Sequence, residues 1–199
     1  MFKILSRLIS LLFISGLIFS SCPAMADEGA LPGEMFTAIM LKALNYDRNI
    51  DRQGKDKVII GIVSSSDDTA AQGFSGEVKD NIDKVDASFV LKDKPVSNHV
   101  LAFEKSFDKA GFEQELKGAN ISVLIVAVND TVSVNKILEA TKELQINSIC
   151  GTPGCAQNGI GLEIIQKDNK PHMLINLNSV KQEGSDYNSK FLAMCEIVK

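Results

Sequence analysis

The chain has 199 residues, of which 45% are hydrophobic and 23% are charged, and its formal net charge at pH 7 is −4. An acidic chain without a cluster of lysines and arginines is a poor candidate for nucleic-acid binding. The hydrophobic content is typical of a folded domain and excludes an intrinsically disordered chain.

The first 26 residues follow the pattern of a secretory signal peptide. Two basic residues stand near the start, residues 8–19 form an uncharged apolar run, and Ala24-Met25-Ala26 offers the small residues that signal peptidase recognises. The apolar run, about a dozen residues, is shorter than the roughly 20 that a membrane-spanning helix needs. We therefore predict cleavage before Asp27, a periplasmic location and a single domain over residues 27–199.

Cys22 leaves a second outcome open, because a cysteine at the end of a signal sequence can carry a lipid. The residues before it, Phe19-Ser20-Ser21, match a lipidation signal poorly, since leucine is preferred three residues before the cysteine. A lipoprotein is therefore the alternative to the cleaved chain. We expect association with the membrane only if Cys22 is lipidated.

Strand and helix patterns alternate through the first part of the mature chain. In chain order they predict a helix over 35–48, a strand over 57–65, a helix over 68–82, a strand over 86–92, one or two helices over 98–118, a strand over 121–128, a helix over 131–144 and a strand over 146–150. The runs KVIIGIVSS and ISVLIVAV are typical of strands that are buried on both faces of a parallel sheet.

The remainder of the chain predicts a hairpin followed by a helix. GIGLEIIQKDNKPHMLINL contains two apolar segments around the polar turn 167–170, and Asn178 is expected to cap a final helical region that ends in SKFLAMCEIV. The predicted fold class is therefore α/β: a mostly parallel central sheet flanked by helices, with a C-terminal β-hairpin and a closing helix.

The sequence offers no catalytic or metal-binding constellation. His99 and His172 are the two histidines, whereas a zinc site normally takes three or four Cys or His ligands. We expect both to be solvent-facing or hydrogen-bonded. There is also no nucleophile elbow, phosphate-binding loop or dinucleotide-binding fingerprint. We therefore predict a protein that is not an enzyme and that uses no metal or cofactor.

A polar loop follows the first core strand and consists of Ser64, Ser65, Ser66, Asp67 and Asp68. Ligands of open α/β sheets bind beyond the carboxyl ends of the strands, so this loop is a candidate ligand crevice. Serine and aspartate at a strand-to-helix junction also cap helices. Capping is therefore the competing interpretation of the same residues.

Two cysteines, Cys150 and Cys155, flank a Thr-Pro-Gly segment. Their spacing differs from the C-x-x-C of thioredoxin-like redox motifs, and a metal site would need two further ligands. In an oxidising compartment they are best interpreted as a local disulfide, because Pro153 and Gly154 favour a chain reversal. Cys195 lies in the apolar segment FLAMCEIV, where we predict a buried free thiol on a helix face.

Two C-terminal segments, GIGLEIIQKDNKPHMLINLNSV and NSKFLAM, combine a glycine-rich stretch, an Asn-Leu pair and an ending of the form S-K-(L/F)-L. In these segments, and in the helix FTAIMLKALNYDR behind an export signal, the chain resembles the YfiR/HmsC family of periplasmic regulators. It departs from that family in three places. Tyr46-Asp47-Arg48 replaces an aromatic W-P, Ser65-Ser66-Asp67 stands near a P-F-G turn, and the second disulfide of some members has no candidate pair.

The resemblance implies an α/β domain that often forms a homodimer and binds the periplasmic sensor region of an inner-membrane diguanylate cyclase. Such binding restrains cyclic di-GMP synthesis and biofilm formation. Cys150 and Cys155 match, in position, a disulfide that makes such repressors redox-responsive. We therefore expect a non-enzymatic regulator whose partner is an inner-membrane diguanylate cyclase or sensor kinase. The alternative is a periplasmic small-ligand-binding protein that serves a transporter or a sensor kinase through the crevice 64–68.

Overall fold

The structure is a computed structural model and describes residues 28–52, 56–86, 88–103 and 108–198. The predicted signal peptide, Cys22 and the segment 104–107 of the predicted helical region lie outside these residues. The described residues build one nine-stranded sheet with helices on both faces, and this confirms the predicted α/β class.

The strands and helices alternate along most of the chain. Their bounds are β1 (Glu28–Gly29), α1 (Gly33–Leu44), β2 (Val58–Ser65), α2 (Thr69–Asp83), β3 (Val90–Leu91), β4 (Lys94–Phe103), α3 (Lys109–Gly118), β5 (Ile121–Ala127), α4 (Thr131–Leu144), β6 (Asn147–Cys150), β7 (Leu162–Lys167), β8 (Lys170–Asn176), α5 (Leu177–Gln182), α6 (Ser189–Leu192) and β9 (Glu196–Val198).

Five parallel strands form the centre of the sheet in the order β4-β2-β5-β6-β7. Counted in chain order, these strands follow the 2-1-3-4-5 arrangement of flavodoxin-like sheets. β3 extends one side as an antiparallel partner of β4, and β8 and β9 extend the other. β1 pairs with the end of β7.

Each face of the sheet has its own hydrophobic core, as the strand β5 illustrates. Val123 and Ile125 pack on the side of α1, α2 and the C-terminal helices. Leu124 and Val126 pack on the opposite side, against α3 and α4. All seven residues of β5 are buried, and the prediction of a strand covered on both faces is confirmed.

The hairpin of β7 and β8 is also confirmed. The two strands pair in register from Leu162 opposite Ile175 to Lys167 opposite Lys170. Between them, Asp168 and Asn169 have φ angles of 50° and 58°. Two successive residues with positive φ form the turn whose twist matches that of the strands, and aspartate and asparagine tolerate this conformation better than most residues.

Two predictions in the middle of the chain are wrong. The predicted strand 86–92 is reduced to β3, and the predicted helical region over 98–118 begins with the strand β4. Val100 and Phe103 are spaced as on a helix, but the segment pairs with β2 from Val96 to Phe103. Val100 is exposed, whereas Leu101 and Phe103 are buried.

The end of the chain also differs from its prediction. Asn176, rather than Asn178, caps the helical region, with its side chain accepting from the Ser179 N–H at 3.1 Å. The single closing helix is replaced by the short helices α5 and α6 and the strand β9. Cys195 therefore lies after α6 and not on a helix face. None of the helices in the described ranges is long and apolar enough to cross a membrane.

The C-terminal segment that contains NSKF (residues 188–191) packs against the end of α1. Phe191 is buried and stacks on Tyr46 and Tyr187, with ring centroids 5.7 Å and 4.7 Å away. The buried Asp47 carboxylate accepts a hydrogen bond from the Asp186 N–H at 2.9 Å. The end of α1 is thus fixed by residues about 140 positions later in the chain.

Candidate ligand-binding site

The order of the strands places a crevice at the carboxyl ends of β2 and β5. These strands are neighbours, but α2, which follows β2, packs on one face, whereas α4, which follows β5, packs on the other. The loops that leave the two strands therefore diverge. This is the topological switch point at which open α/β sheets bind their ligands.

The predicted crevice residues lie at this position, but the side chains of Ser65, Asp67 and Asp68 are already hydrogen-bonded within the protein. The Asp68 carboxylate caps α2 by accepting from the N–H groups of Ala70 and Ala71, both at 3.0 Å. The Ser65 hydroxyl donates to Asp67, and the Asn129 side-chain amide donates to Asp68 at 2.9 Å. The capping interpretation is correct for Asp68. Ser64 is half-buried and Ser66 is exposed.

A cavity of about 230 Å³ lies one strand further along, beyond the carboxyl ends of β5 and β6. Its floor consists of buried apolar side chains from β5, α4 and the loop after the disulfide, and its rim consists mainly of exposed uncharged polar side chains. The lining residues are Val126, Val128, Asn129, Thr131, Val134, Thr152, Pro153, Cys155, Asn158 and Ile160. Asn129 belongs both to this cavity and to the crevice beside Asp68.

None of the residues that line this cavity is ionisable. The N-terminus of α4 borders it, yet the Asp130 carboxylate already accepts from the N–H groups of Val132 and Ser133, at 3.1 Å and 3.2 Å. The negative charge of Asp130 opposes the binding of an anion at this helix end. A buried ammonium or carboxylate would also lack a charged partner. The cavity therefore favours an uncharged molecule.

The loop after β6 forms one wall of the cavity and contains the disulfide between Cys150 and Cys155, with the two Cα atoms 6.6 Å apart. The structure thus has the predicted bond. Cys150 is buried, whereas Cys155 is half-buried and borders the cavity. The disulfide helps to shape the wall that a ligand would touch.

Glu163, on β7, is hydrogen-bonded to the same loop. Its buried carboxylate accepts from the Gly154 N–H at 3.1 Å and from the Ala156 N–H at 2.8 Å. Burial raises the pKa of Glu163 above its usual range, and the two N–H donors partly oppose that rise. Donor atoms of Cys150, Cys155 and Glu163 lie within 4.8 Å of one another. While the two sulfurs are bonded to each other, they are not thiolate ligands for a metal.

A second buried carboxyl group, Glu183, lies at the end of α5. It accepts a hydrogen bond from the Thr141 hydroxyl at 2.8 Å and another from the Ser148 N–H at 3.0 Å. Burial raises the pKa of Glu183 from 4.5 to about 7, against the opposing effect of these donors. The carboxyl joins α4, β6 and α5 and does not line the cavity.

The free cysteine and the two histidines are poor candidates for catalytic residues. Burial raises the pKa of the Cys195 thiol to about 12, so this free cysteine is unreactive at neutral pH. It is half-buried. His99 lies 3.8 Å from Glu115, and His172 lies 2.9 Å from Glu196. His172 is therefore hydrogen-bonded to a carboxylate, whereas His99 faces one from beyond hydrogen-bonding distance.

Sequence patterns missed both Glu163 and Glu183. Glu163 interrupts the apolar run GIGLEIIQ, and a lone acid in such a run is the one local signal of a buried carboxylate. Glu183 follows a polar helix and gives no comparable signal. The cavity was also missed, because its two halves, 126–134 and 152–160, come together only through the pairing of β5 with β6.

We expect the Cys150→Ser variant to remain folded and to lose about 2 kcal/mol of stability, because closing so short a loop restricts the unfolded chain only slightly. The contacts of Glu163 with Gly154 and Ala156 would still hold the loop. Urea unfolding measures the loss, and Cys195→Ser is the matched control. In the unreduced, denatured protein without residues 1–26, one reactive thiol is expected. Three would contradict the bond.

Comparison with known proteins supports the fold. Neither a protein-family model nor a curated protein sequence matches the chain. The crystal structure of a conserved domain protein from Vibrio cholerae is similar to this chain, with 12% sequence identity and a TM-score of 0.56. The match covers 84% of this chain and 60% of that protein. An ABC domain in complex with L-Trp from Streptococcus pneumonia has 9% sequence identity to this chain and a TM-score of 0.59. That match also covers 84% of this chain and 60% of the other protein.

A substrate binding protein with adhesive properties from Clostridium difficile, in its ligand-free, open structure, has 13% identity and a TM-score of 0.50. That match covers 76% of this chain and 57% of the other. At such low identity the three similarities show a shared α/β fold. This chain spans about 60% of the length of the first two structures.

Proposed function

We propose that the chain is an exported, non-enzymatic binding protein that holds a small uncharged molecule in the cavity between α4 and the disulfide loop. The observation that carries the proposal is the cavity itself. It lies beyond the carboxyl ends of parallel strands, has a buried apolar floor and has an uncharged polar rim. Pockets that bind small molecules combine such an apolar body with a few polar groups that orient the ligand.

The structural neighbours support a binding role. One of them is an ABC domain in complex with L-Trp, and another is a substrate binding protein. The match covers 60% and 57% of those two proteins, so their ligands are not transferred to this chain. A free amino acid would also need partners for an ammonium and a carboxylate group, and the lining of this cavity has none.

A set of three probes of similar size tests the proposal. Benzamide is neutral, benzoate is an anion and benzylamine is a cation at neutral pH. We expect benzamide to bind with a Kd of about 1 mM, which requires only about 0.5 kcal/mol per non-hydrogen atom. The charged probes should bind at least about tenfold more weakly, because a charge in this cavity would lack a partner. Methyl NMR shifts of Val126, Val134 and Ile160 measure binding.

Two tryptophan variants locate the site. Thr131 lies on the rim, so Thr131→Trp should fill the cavity and abolish the benzamide-induced shifts. Val132 is 66% exposed and does not line the cavity, so Val132→Trp adds the same bulk one residue away and should bind as the parent does. Equal binding of the three probes, or binding that survives Thr131→Trp, would contradict the proposal.

A second candidate is membership of the YfiR/HmsC family and restraint of an inner-membrane diguanylate cyclase or sensor kinase. The disulfide Cys150–Cys155 at the position matching the family's pair favours it. Such a regulator acts by preferring one conformation of its receptor's periplasmic region.

Deletion of the gene tests this second candidate. We expect cellular cyclic di-GMP, or the output of a neighbouring sensor kinase, to rise in the deletion strain. The level should return when the parent protein is supplied. Unchanged second-messenger levels and unchanged signalling would contradict this candidate, whereas the result of the probe titration bears on the ligand site alone.

A further inference from the structure

A buried acid lies beside the disulfide, and the two sulfurs differ in their access to solvent. Cys150 is 1% exposed, whereas Cys155 is half-buried and borders the cavity. A donor oxygen of Glu163 and both sulfur atoms lie within 4.8 Å of one another. Cys155 is thus the more accessible of the two cysteines, and attack of an external thiol on Cys155 would release the sulfur of the buried Cys150.

Release of a thiolate from Cys150 is unfavourable at this position. A buried anion is destabilised by the loss of solvent, and a neighbouring carboxylate would repel it further. A proton supplied as the S–S bond breaks removes the charge. Among the described residues, Glu163 is the carboxyl group that lies close to both sulfurs.

We propose that Glu163, in its protonated form, donates its proton to the Cys150 thiolate as the disulfide is reduced, so that opening of the loop responds to pH as well as to thiols. The inference goes beyond the proposed ligand site and does not rest on it. The raised pKa of Glu163 is consistent with this role, because a larger fraction of the carboxyl remains protonated at a given pH.

The reaction with a small dithiol, the reductant, balances in two steps. One thiolate of the dithiol attacks Cys155 Sγ and forms a mixed disulfide, while Cys150 Sγ leaves with the electron pair of the S–S bond and takes the Glu163 proton. The second thiol of the dithiol then loses its proton to solvent. The resulting thiolate attacks the first sulfur of the same dithiol molecule, which is bonded to Cys155 in the mixed disulfide. Cys155 leaves and is protonated by solvent, and the dithiol becomes a cyclic disulfide.

The charged groups that face Glu163 are few. Glu28, on β1, raises the pKa of Glu163, and Glu28 itself pairs with Lys167 at 2.9 Å. By strand alternation, His172 on β8 is on the same face of the sheet, two positions along, and its Nε2 lies 2.9 Å from the Glu196 carboxylate. The surrounding loop contributes N–H donors, which favour the carboxylate once the proton has left.

The pH dependence of reduction tests the proposal. The oxidised protein is treated with dithiothreitol, and the second-order rate constant is expressed per dithiothreitol thiolate, so that the titration of the reagent is removed. For the parent this constant should fall at least about tenfold between about pH 5 and pH 8, because assistance by a general acid is typically worth ~10²–10⁴-fold. In Glu163→Gln it should be nearly flat and close to the parent's value at the alkaline end.

Glu183→Gln is the matched control, since it removes the other buried carboxyl with a raised pKa, which lies beside Ser148 rather than beside the sulfurs. This variant should keep the parent's pH profile.

A second measurement covers the case in which Glu163→Gln does not fold. The ¹³C shift of the Glu163 carboxyl in the parent should titrate at a different pH in the oxidised and in the reduced protein. A flat parent profile, a pH-dependent Glu163→Gln profile or an unchanged carboxyl titration would overturn the proposal.

Discussion

Replacing Phe191 with alanine should lower the free energy of unfolding by about 3–5 kcal/mol, the range typical of large aromatic side chains removed from a core. Phe191 is 1% exposed and stacks on Tyr46 and Tyr187. Its removal would leave a cavity between the end of α1 and the C-terminal segment, and both tyrosines would lose an aromatic contact. Urea unfolding followed by circular dichroism measures the change.

Phe191→Leu provides the matched control, because leucine keeps an apolar side chain at this position and occurs there in the S-K-(L/F)-L pattern. A hydrophobic exchange of similar volume usually costs less than about 1.5 kcal/mol. A loss for Phe191→Ala as small as that for Phe191→Leu would show that the stack contributes little. Packing of Phe191 would then not be what holds the segment NSKF against the end of α1.

The stability of the protein should fall as the pH rises from about 4.5 to about 7, and Glu183 should cause much of that fall. Its pKa is raised from 4.5 in the unfolded chain to about 7 in the folded protein, so the folded state binds the proton more tightly. The resulting stabilisation is fully present below about pH 4.5 and is lost as the pH rises through about 7. With about 1.4 kcal/mol per pKa unit, the loss is on the order of 3 kcal/mol.

Glu183→Gln should remove this dependence. A glutamine resembles the protonated carboxyl, because its carbonyl oxygen accepts from the Ser148 N–H and its amide donates to the Thr141 hydroxyl oxygen. We therefore expect the variant to be more stable than the parent at pH 8 and similar to it near pH 5. Unfolding curves at both pH values decide the matter. Parallel pH dependence in the two proteins would show that Glu183 is not the responsible group.

Local patterns predicted most of the sheet and its helices. The helix over 131–144 has the same bounds in the structure, and the runs at 57–65 and 121–128 are central parallel strands. The patterns failed at 98–103, where a spacing of three between Val100 and Phe103 fits a helix although the segment pairs with β2 along its length. Such pairing is a property of distant residues, and it overrides local spacing.

The candidate site was predicted only in its general location. The loop 64–68 does lie at the carboxyl end of β2, but Asp68 is occupied with capping α2, and the cavity of the proposed site lies beyond the next strand. The disulfide could be predicted because both cysteines and the reversing Pro-Gly lie within six residues. Glu163 could not, because its N–H partners come from a loop whose path no local pattern describes.

The contact between the end of α1 and the C-terminal segment also sets an order of events during synthesis. Asn188 donates its N–H to the Tyr46 carbonyl at 3.1 Å, and Arg48 donates to the Asp186 carbonyl at 2.9 Å. Neither bond can form until Asp186 and Asn188, about 140 residues after the end of α1, have been synthesised. Contacts this distant in sequence are slow to establish. We therefore expect the end of the first helix to remain unpaired in a growing chain until the segment around Asp186 and Asn188 has been made.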